Sequence, residues 1–345
     1  MKPSTLLRRG VALALAGAAA CEAPTTPQST LAPGAAAEAK AASTTDEIVA
    51  VSPLLGQINA RLASSKLNIR VDRAQLLYSA KGLAGGQKAT LLLANDRSRG
   101  IGAEWVKGDP RRDGRIGVTY AIGSNTSVAP FTRDADGSNV RQLTAVEQEA
   151  KIEEAVAAWR ALTCSSKPIT RVPVPTGTDP DYLDEYFRGN PAGSPNYFQP
   201  ADIVEAGWQP LEFFETIGGG PAGDAILGIT FSFIYFDNSG NPTDIDRNGK
   251  ADLALAEIYY NAGYYYGTRA ANSVDFFSIL AHETGHALGL GHFGKLFVTA
   301  KDAADGISVS DVKFAPFALM NAGYVIPNEI QGTDVSQFCQ IWASR

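Results

Sequence analysis

The stretch FFSILAHETGHALGLGH, residues 276–292, contains all three histidines of the 345-residue chain. His282 and His286 are four residues apart, a spacing that places both imidazoles on one face of a helix, one turn apart. Gly289 follows, and a glycine at this point can adopt the left-handed conformation that ends a helix and turns the backbone. The pattern therefore predicts a helix that stops near Gly289 and returns His292 toward the other two imidazoles.

Three neutral imidazoles with one open coordination position are the ligand set of a catalytic zinc site, in which the fourth ligand is water. Glu283 lies about 100° around the helix from His282, too far to share its coordination position but near enough to reach that water. Without a metal, three histidines packed in an apolar helix would leave several ring nitrogens unpaired. We therefore predict zinc on His282, His286 and His292, with Glu283 as the catalytic base.

The motif HETGHALGLGH resembles the extended H-E-x-x-H-x-x-G-x-x-H signature of the metzincin zinc endopeptidases. Metzincins carry a methionine turn beneath the metal, and Met320, in ALMNAGY, is the only methionine besides Met1 and lies 28 residues after His292. The arrangement is most similar to bacterial matrixin-like proteins, because a helix ending AVAAWRALTC, the zinc motif and the segment after Met320 occur in that order. The resemblance covers about residues 114–343.

This resemblance implies an α+β fold of the zincin type, in which a twisted mixed sheet with long helices lies above a small irregular lower subdomain. The lower subdomain would hold the methionine turn and a C-terminal helix near residues 335–343. An extended peptide would bind between the two parts by adding to a sheet edge, for which residues 226–230 are the candidates. The implied activity is zinc-dependent peptide hydrolysis, in which Glu283 takes a proton from water and passes it to the leaving amine.

Two other functions stay open. A zinc amidase that acts on cell-wall peptides would keep the same three ligands and Glu283, and would differ only in its substrate cleft. A non-catalytic surface-binding protein on the same fold would have no need of the base, so Glu283 argues against it. A serine hydrolase is excluded because no histidine is left to serve as its base.

The charge balance argues against two classes of binding partner. The chain has 30 Lys and Arg against 36 Asp and Glu, a net charge of -6. Such a chain has no global basic field with which to bind nucleic acid or an anionic membrane surface. Its one membrane-like apolar run, residues 11–20, is too short to cross a bilayer as a helix, so no transmembrane domain is expected. We expect a monomer that acts on a protein or peptide substrate.

The N-terminus has the layout of an export signal. Three basic residues precede the apolar run, and small residues close it before Cys21, so residues 1–21 are predicted to be a secretory signal. Cys21 also resembles a lipoprotein cleavage site, which leaves two alternatives, a lipid anchor on Cys21 and a plain signal peptide. Residues 22–45 are rich in Ala, Pro, Thr and Ser and predict a disordered tether. The expected location is the cell envelope or the extracellular space.

Residues 46–113 are predicted to be either a propeptide or an extension of the fold, and residues 114–345 the catalytic domain. A matrixin propeptide covers the zinc with a cysteine, yet residues 22–159 contain none. If residues 46–113 inhibit the enzyme, they must cover the site sterically or bring a carboxylate to the zinc. A turn or surface role is the expectation for each of the three candidate carboxylates, Asp96, Asp109 and Asp113.

Cys164 and Cys339 are the only cysteines besides Cys21. Two cysteines in an exported protein commonly pair, because the compartment is oxidising. The alternative is that both are small buried apolar side chains. A disulfide between them would connect the middle of the chain to its C-terminus.

A second candidate metal site is DIDRNGKAD, residues 244–252. Four oxygen-bearing side chains flank Gly249 as in the first nine positions of a calcium loop: Asp244, Asp246, Asn248 and Asp252. Leu255 occupies the position where an EF-hand needs a bidentate Glu, so the loop is not an EF-hand. Calcium binding and an ordinary Asp/Asn/Gly turn both remain open.

Periodicity predicts the remaining elements. Thr144 and Glu147 form a capping box, and apolar residues then recur at helical spacing to Leu162. Alternation or apolar runs predict strands at residues 116–122, 169–174, 202–206, 225–236 and 253–260.

Overall fold

A mixed β-sheet forms the centre of the fold, and helices pack on both of its faces. In the computed structural model the described residues form fourteen strands. They are β1 (Ile69–Ser79), β2 (Leu91–Leu93), β3 (Ala103–Glu104), β4 (Val118–Ile122), β5 (Phe131–Arg133), β6 (Val140–Gln142), β7 (Ile169–Arg171), β8 (Ile203–Gln209), β9 (Ile226–Tyr235), β10 (Ala251–Asn261), β11 (Tyr265–Tyr266), β12 (Lys295–Val298), β13 (Val312–Ala315) and β14 (Gly323–Tyr324). The five helices are α1 (Thr44–Ser64), α2 (Ala145–Arg160), α3 (Leu211–Gly218), α4 (Phe276–Ala287) and α5 (Gly332–Trp342).

The structure describes residues 44–65, 67–79, 91–93, 102–123, 128–134, 136–176, 178, 180–183, 199–218, 221–267, 273–298, 312–324 and 329–343. Residues 43–345 belong to one compact unit. The predicted signal at residues 1–21 with Cys21, and residues 22–43 of the predicted tether, lie outside the described residues. Residues 44 and 45, the last two of that tether, instead begin α1. None of the helices within them combines the length and apolar character that a membrane span requires.

The main sheet has nine strands, of which seven follow the order β14, β1, β9, β10, β8, β4, β7. Strand β9 runs antiparallel to both of its neighbours, β1 and β10. Strands β10, β8, β4 and β7 are parallel to one another. Two short strands complete the sheet, β2 beside β1 and β3 beside β10. The fold is therefore mixed α+β, as the sequence predicts.

Each face of the sheet carries its own apolar core. Helices α2 and α4 cover one face, where Trp159 and Ile279 are fully buried. Helices α1 and α3 cover the other, where Leu55 and Phe214 are fully buried. Apolar burial on both faces explains why the central strands read as nearly continuous apolar runs in the sequence.

Helix α2 begins as its capping box predicts. The Thr144 hydroxyl accepts a hydrogen bond from the Glu147 amide, and the Glu147 carboxylate accepts one from the Thr144 amide. At its other end, the Trp159 indole donates to the Ala281 carbonyl of α4 over 2.8 Å. The apolar stripe of α2 therefore holds the helix that carries the histidines.

Two further indoles stabilise the C-terminal end of α4. Trp105 donates to the Ala287 carbonyl and Trp342 to the Leu288 carbonyl, each over 2.8 Å. The last carbonyls of a helix have no partner within the helix, so these two bonds satisfy groups that would otherwise be unpaired. Segments far apart in sequence thus meet at the end of one helix.

Cys164 and Cys339 form a disulfide in the structure, across a sequence separation of 175. Cys164 follows α2 and Cys339 lies in α5. Beside this bond the Phe338 ring lies 5.6 Å from the Trp159 ring, centroid to centroid. The disulfide and these rings join α5 to α2.

The expectation that residues 226–230 form a free sheet edge is wrong. Strand β1 pairs with β9 along its whole length, from Ile69 opposite Tyr235 to Tyr78 opposite Ile226. Residues 46–113, which contain β1, are therefore built into the same sheet as the residues that follow them. Which strand lies beside β9 is a long-range choice, and the local pattern of β9 carries no information about it.

Arg112 and Asp202 form a buried ion pair that connects this N-terminal region to β8. The Arg112 Nε atom lies 2.8 Å from Asp202 Oδ1, with exposures of 1% and 0%. The same guanidinium donates to the carbonyls of Val106 and Gly117, and Asp202 also accepts from the Thr119 amide. All three guanidinium nitrogens of Arg112 and both carboxylate oxygens of Asp202 thus take part in hydrogen bonds.

We predict that Arg112→Met lowers the free energy of unfolding by about 3–5 kcal/mol, because it leaves the Asp202 charge buried without its main partner. Urea denaturation at neutral pH measures the loss. Arg115→Met is the matched control, since Arg115 touches the same carboxylate but is 34% exposed. The control should cost less than about 1 kcal/mol. Equal small losses for the two variants would contradict the prediction.

Candidate metal centre

Helix α4 begins and ends as its sequence predicts. The Asp275 carboxylate caps the first turn by accepting from the Ser278 amide over 2.8 Å. The helix ends at Ala287, and Gly289 has a φ of 93°, a value that favours glycine. The chain then turns back and places His292 beside the two histidines of the helix.

The three imidazoles converge through their Nε2 atoms. The His292 Nε2 atom lies 3.3 Å from that of His282 and 3.1 Å from that of His286. The Nδ1 atom of His282 lies 2.7 Å from the Leu319 carbonyl oxygen, and that of His286 lies 2.8 Å from the Leu290 carbonyl oxygen. Because a carbonyl only accepts, both Nδ1 atoms carry the proton, and both Nε2 atoms present lone pairs.

This donor set fits a tetrahedral cation. One proton on His292 Nε2 could satisfy only one of the two facing lone pairs, whereas a cation satisfies all three nitrogens. Zinc–nitrogen bonds of about 2.0–2.1 Å at tetrahedral angles separate the nitrogens by about 3.3 Å. The observed separations of 3.1 and 3.3 Å match that edge. The three histidines could therefore hold a metal ion, as the sequence predicts.

Burial keeps the three rings in their ligand form. Desolvation lowers the pKa of His282 to about 4, against a smaller opposing effect of the Leu319 carbonyl. Burial and the neighbouring histidines hold the pKa of His286 well below its usual range. Burial and His282 do the same for His292. The rings are neutral at physiological pH, which is the state in which an imidazole binds a metal.

Glu283 is fully buried, and only one of its two carboxylate oxygens has a hydrogen-bond partner within the part of the chain that the structure describes. The Thr230 hydroxyl of β9 donates to its Oε2 atom over 2.6 Å, and its Oε1 atom has no hydrogen-bond partner among the described residues. Burial raises the pKa of Glu283 well above the ordinary carboxyl value, although the Thr230 bond opposes the shift. Gly228 makes room for this carboxylate, because a Cβ there would lie 2.8 Å from Glu283 Cγ.

Met320 lies in a turn directly behind α4 and is fully buried. The carbonyl that orients His282 belongs to the preceding residue, Leu319. Asp334, at the start of α5, accepts from the amides of Leu319 and Met320 over 2.8 and 3.0 Å. The turn, α5 and the first histidine are therefore positioned together.

Sequence reasoning missed two residues that support this centre, Asp334 and Thr230, and a third that lies buried beneath α4, Glu205. Asp334 carried only the weak signal of an acid in the first turn of a helix. Thr230 carried a better one, because β9 alternates small residues with large apolar ones, which indicates that a helix packs closely against one side of the strand. Glu205 carried none, since an acid in an apolar strand does not indicate which side chains lie opposite it.

None of the three carboxylates that the sequence offered as cover for the zinc is seen beside the histidines in the part of the chain that the structure describes. Asp109 is paired with Arg111, and Asp113 is 88% exposed, so neither carboxylate covers the imidazoles. Asp96 lies outside the described residues. The Tyr324 hydroxyl accepts from the Asp275 amide over 3.0 Å, at the N-terminus of α4.

The acidic loop at residues 244–252 brings its carboxylates together. One ligand atom from each of Asp244, Asp246 and Asp252 lies within 4.8 Å of the others. Asp244 accepts from the amides of Asn248 and Gly249, which is ordinary turn bonding. Asp252 is buried, and its carboxylate lies 2.6 Å from an Arg111 nitrogen. Calcium binding through Asp252 would have to displace this guanidinium.

We predict that Gly285→Ala destabilises the protein by about 1–3 kcal/mol, although alanine normally favours a helix over glycine. A Cβ at residue 285 would lie 2.5 Å from Met320 Sδ and 3.0 Å from the Trp159 ring. Chemical denaturation measures the loss. In a double-mutant cycle, Met320→Ala should relieve part of it, because the clash disappears with the thioether. Additive losses would contradict the contact.

Glu205 lies in β8 beneath α4 and is fully buried. Burial raises its pKa to about 7, while the Tyr260 and Thr284 hydroxyls oppose the shift. Tyr260 donates to Oε2 over 2.6 Å. The Thr284 hydroxyl donates to the Leu280 carbonyl over 2.8 Å, and its oxygen lies 3.3 Å from Glu205 Oε1. A proton on Oε1 would find this oxygen as an acceptor, so the site suits a neutral carboxyl group.

We predict that Glu205→Gln stabilises the protein only at higher pH. The folded wild type holds a proton with a pKa of about 7 that the unfolded chain loses near its ordinary carboxyl pKa, so wild-type stability falls across that interval. The variant should match the wild type near pH 4.5 and exceed it by about 3 kcal/mol above pH 8. Denaturant unfolding of both chains across pH measures the difference. A pH-independent difference would disprove the shift.

No protein-family model matches this chain, and no curated protein matches it either. The candidate site is therefore described by its own residues. These are three converging imidazoles, a buried carboxylate with one unpartnered oxygen, and a methionine turn that holds them in place.

Proposed function

We propose that this protein is a zinc-dependent endopeptidase of the metzincin type, most like bacterial matrixin-like proteins. The observation that carries the proposal is the joint placement of three Nε2 lone pairs and the buried carboxylate of Glu283. Nitrogen donors in tetrahedral arrangement favour zinc over calcium or magnesium, which prefer oxygen. Three protein ligands leave one coordination position for water and substrate.

The residues support a hydrolytic role for Glu283. When bound, zinc supplies a Lewis acid that acidifies a coordinated water and polarises a carbonyl group. Thr230 holds Glu283 through Oε2, which leaves Oε1 to accept a proton from that water and to deliver it to the leaving amine. Burial raises the pKa of Glu283 well above the ordinary carboxyl value, which makes this carboxylate a stronger base than an exposed one.

The surroundings of the centre agree with the resemblance. Met320 lies in a turn that packs against Gly285, between the two helical histidines, and the Leu319 carbonyl orients His282. Helices α2 and α4 lie on one face of a mixed sheet, and α5 packs at the end of α4. A metzincin would place a twisted sheet and two long helices above such a turn and a C-terminal helix.

The presence of Glu283 favours an enzyme over a surface-binding protein. A buried carboxylate with an unpartnered oxygen costs stability, and a binding protein would gain nothing from it. A zinc amidase that acts on cell-wall peptides would need the same groups, so it is the alternative that the experiment must separate.

Export is part of the proposal. The disulfide between Cys164 and Cys339 suits an oxidising compartment, which is where a secretory signal at residues 1–21 would deliver the chain. A lipid on Cys21 would keep it at the cell surface. The protein would act there as a monomer on protein or peptide substrates.

We predict that the protein binds about one zinc per chain and digests an unfolded protein, and that Glu283→Gln keeps the zinc but slows digestion by about 10²–10⁴-fold. The amide keeps the volume of the side chain and cannot act as a base. Metal analysis and digestion of a labelled unfolded protein measure the two properties. His286→Ala should lose zinc as well as activity.

Glu205→Gln is the matched control, because it neutralises a second fully buried carboxylate near α4, whose hydrogen-bond partners are Tyr260 and Thr284. It should keep the zinc, and it should slow digestion far less than Glu283→Gln does, because the Glu205 charge is the smallest of the three influences on the pKa of Glu283. Zinc binding with cleavage of peptidoglycan fragments and no cleavage of protein would favour the amidase. A folded sample that takes up no zinc would reject the proposed site.

A further inference from the structure

Strand β1 belongs to one of the two buried cores. Leu62 of α1 and Leu76 of β1 are at most 1% exposed, and both lie in the apolar cluster that contains Phe231 of β9. Removing α1 and β1 would return this apolar surface to water, which is unfavourable. Strand β1 is therefore a fixed part of the sheet, and the side chains on its opposite face are lasting neighbours of the residues above them.

The opposite face of β1 is directed toward α4. Side chains directly opposite each other on antiparallel strands lie on the same face of the sheet. Gln75 is opposite Thr230, which donates to the Glu283 carboxylate, and Arg73 is opposite Ser232, two residues further along β9. Arg73 and Gln75 therefore lie on the face of the sheet that carries the histidines.

The charge of Arg73 acts on the histidines. Strand β1 contacts α4 directly, and Leu77 of β1 lies in the same core as Ile279 of α4. Burial is the main cause that lowers the pKa of His286, the other two histidines add to it, and the positive charge of Arg73 contributes as well. The Arg73 side chain is only 4% exposed, so water and salt screen its charge weakly. A weakly screened charge attracts a nearby anion more strongly than the same charge at the surface.

A β-bulge accompanies this placement of Arg73. Phe233 and Ser232 are adjacent on β9, but they pair with Val71 and Arg73, so Asp72 is the extra residue of β1. The Asp72 carboxylate, 2% exposed, lies 2.7 Å from Arg73 Nε and 2.5 Å from Arg73 Nη2. Bulges are common beside active sites, where they redirect a side chain. A buried ion pair often adds no net stability over apolar residues of the same size, so stability alone does not account for this pair.

We propose that Arg73 binds a carboxylate group of the substrate close to the scissile bond, a proposal that rests on the endopeptidase function proposed above. A guanidinium presents its N–H donors in a planar fork that matches a carboxylate. Pairing with Asp72 is compatible with this role, because a guanidinium can hold two carboxylates at once, as Arg111 holds those of Asp109 and Asp252. The carboxylate belongs to an acidic side chain or to the C-terminus of a peptide. The protein would thus prefer acidic peptides to neutral ones.

The experiment uses peptides of one sequence that the zinc-loaded protein cleaves, taken from its digest of an unfolded protein. One peptide is neutral around the cleaved bond and ends in an amide. A second set carries one glutamate at each position near that bond, and a third set ends there in a free carboxylate. We expect the wild type to cleave at least one charged peptide with a kcat/KM about 10–100-fold above that of the neutral peptide. The set that contains it identifies the source of the carboxylate.

The double variant Asp72→Asn with Arg73→Gln removes both charges together, because either charge left alone would be buried without its partner. It should cleave the charged and neutral peptides at similar rates. The ratio of the two rates in one sample does not depend on how much of that sample is folded. Arg73→Lys keeps the charge without the planar fork, so it should keep only part of the preference.

Arg70→Gln is the matched control, because Arg70 is the other arginine of β1 and its guanidinium donates to the carbonyls of Leu67 and Ile69. It should retain the full preference.

A second readout requires no cleavage. In the zinc-bound Glu283→Gln protein, fluorescence anisotropy should show that the preferred charged peptide binds about 10–100-fold more tightly than the neutral one. Addition of Asp72→Asn and Arg73→Gln to this protein should abolish the difference.

Three results would overturn the role of Arg73. If the wild type cleaves and binds charged and neutral peptides equally, Arg73 does not recognise a carboxylate, although the endopeptidase function stands. If the preference persists in the folded double variant, another group is responsible for it. If the zinc-bound wild type cleaves no protein and the Glu283→Gln protein binds no peptide, the proposed function itself fails, and the role of Arg73 fails with it.

Discussion

The hydrogen bonds from His282 and His286 to backbone carbonyls are the constraint on which the rest of the structure depends. Each bond fixes one ring so that its lone pair faces the other imidazoles. The acceptor for His286, Leu290, lies just beyond α4, but the acceptor for His282 is Leu319. The arrangement of the three imidazoles therefore requires the turn at Met320, which in turn requires Asp334 of α5.

Close approach of α4 to the sheet follows from the same requirement. Small residues on one side of β9 allow the helix to lie against the strand, so that Thr230 can reach the Glu283 carboxylate. Strand β1, which pairs with β9, is then necessarily near the three histidines. The N-terminal segment thus affects the site through the geometry of the sheet, without supplying a metal ligand.

Local features of helix α4 were predictable from the sequence. The spacing of His282, His286 and Gly289 predicts a helix of the observed kind with a left-handed residue beyond it. The capping box formed by Thr144 and Glu147 was equally predictable, because the two residues lie within one turn of each other. Asp334 was not, because its acceptor role depends on two amides that are distant in sequence and meet it only in the folded chain.

The sequence by itself determined which residues could bind a metal and that they lie on a helix and the turn after it, because these properties depend on side-chain chemistry and on spacing within a few residues. Only the tertiary structure decided that β1 lies beside β9, that Thr230 holds Glu283, and that Glu205 lies buried beneath α4. The reason is that strand pairing and burial arise from contacts between segments far apart in the chain. Their local patterns are compatible with many partners.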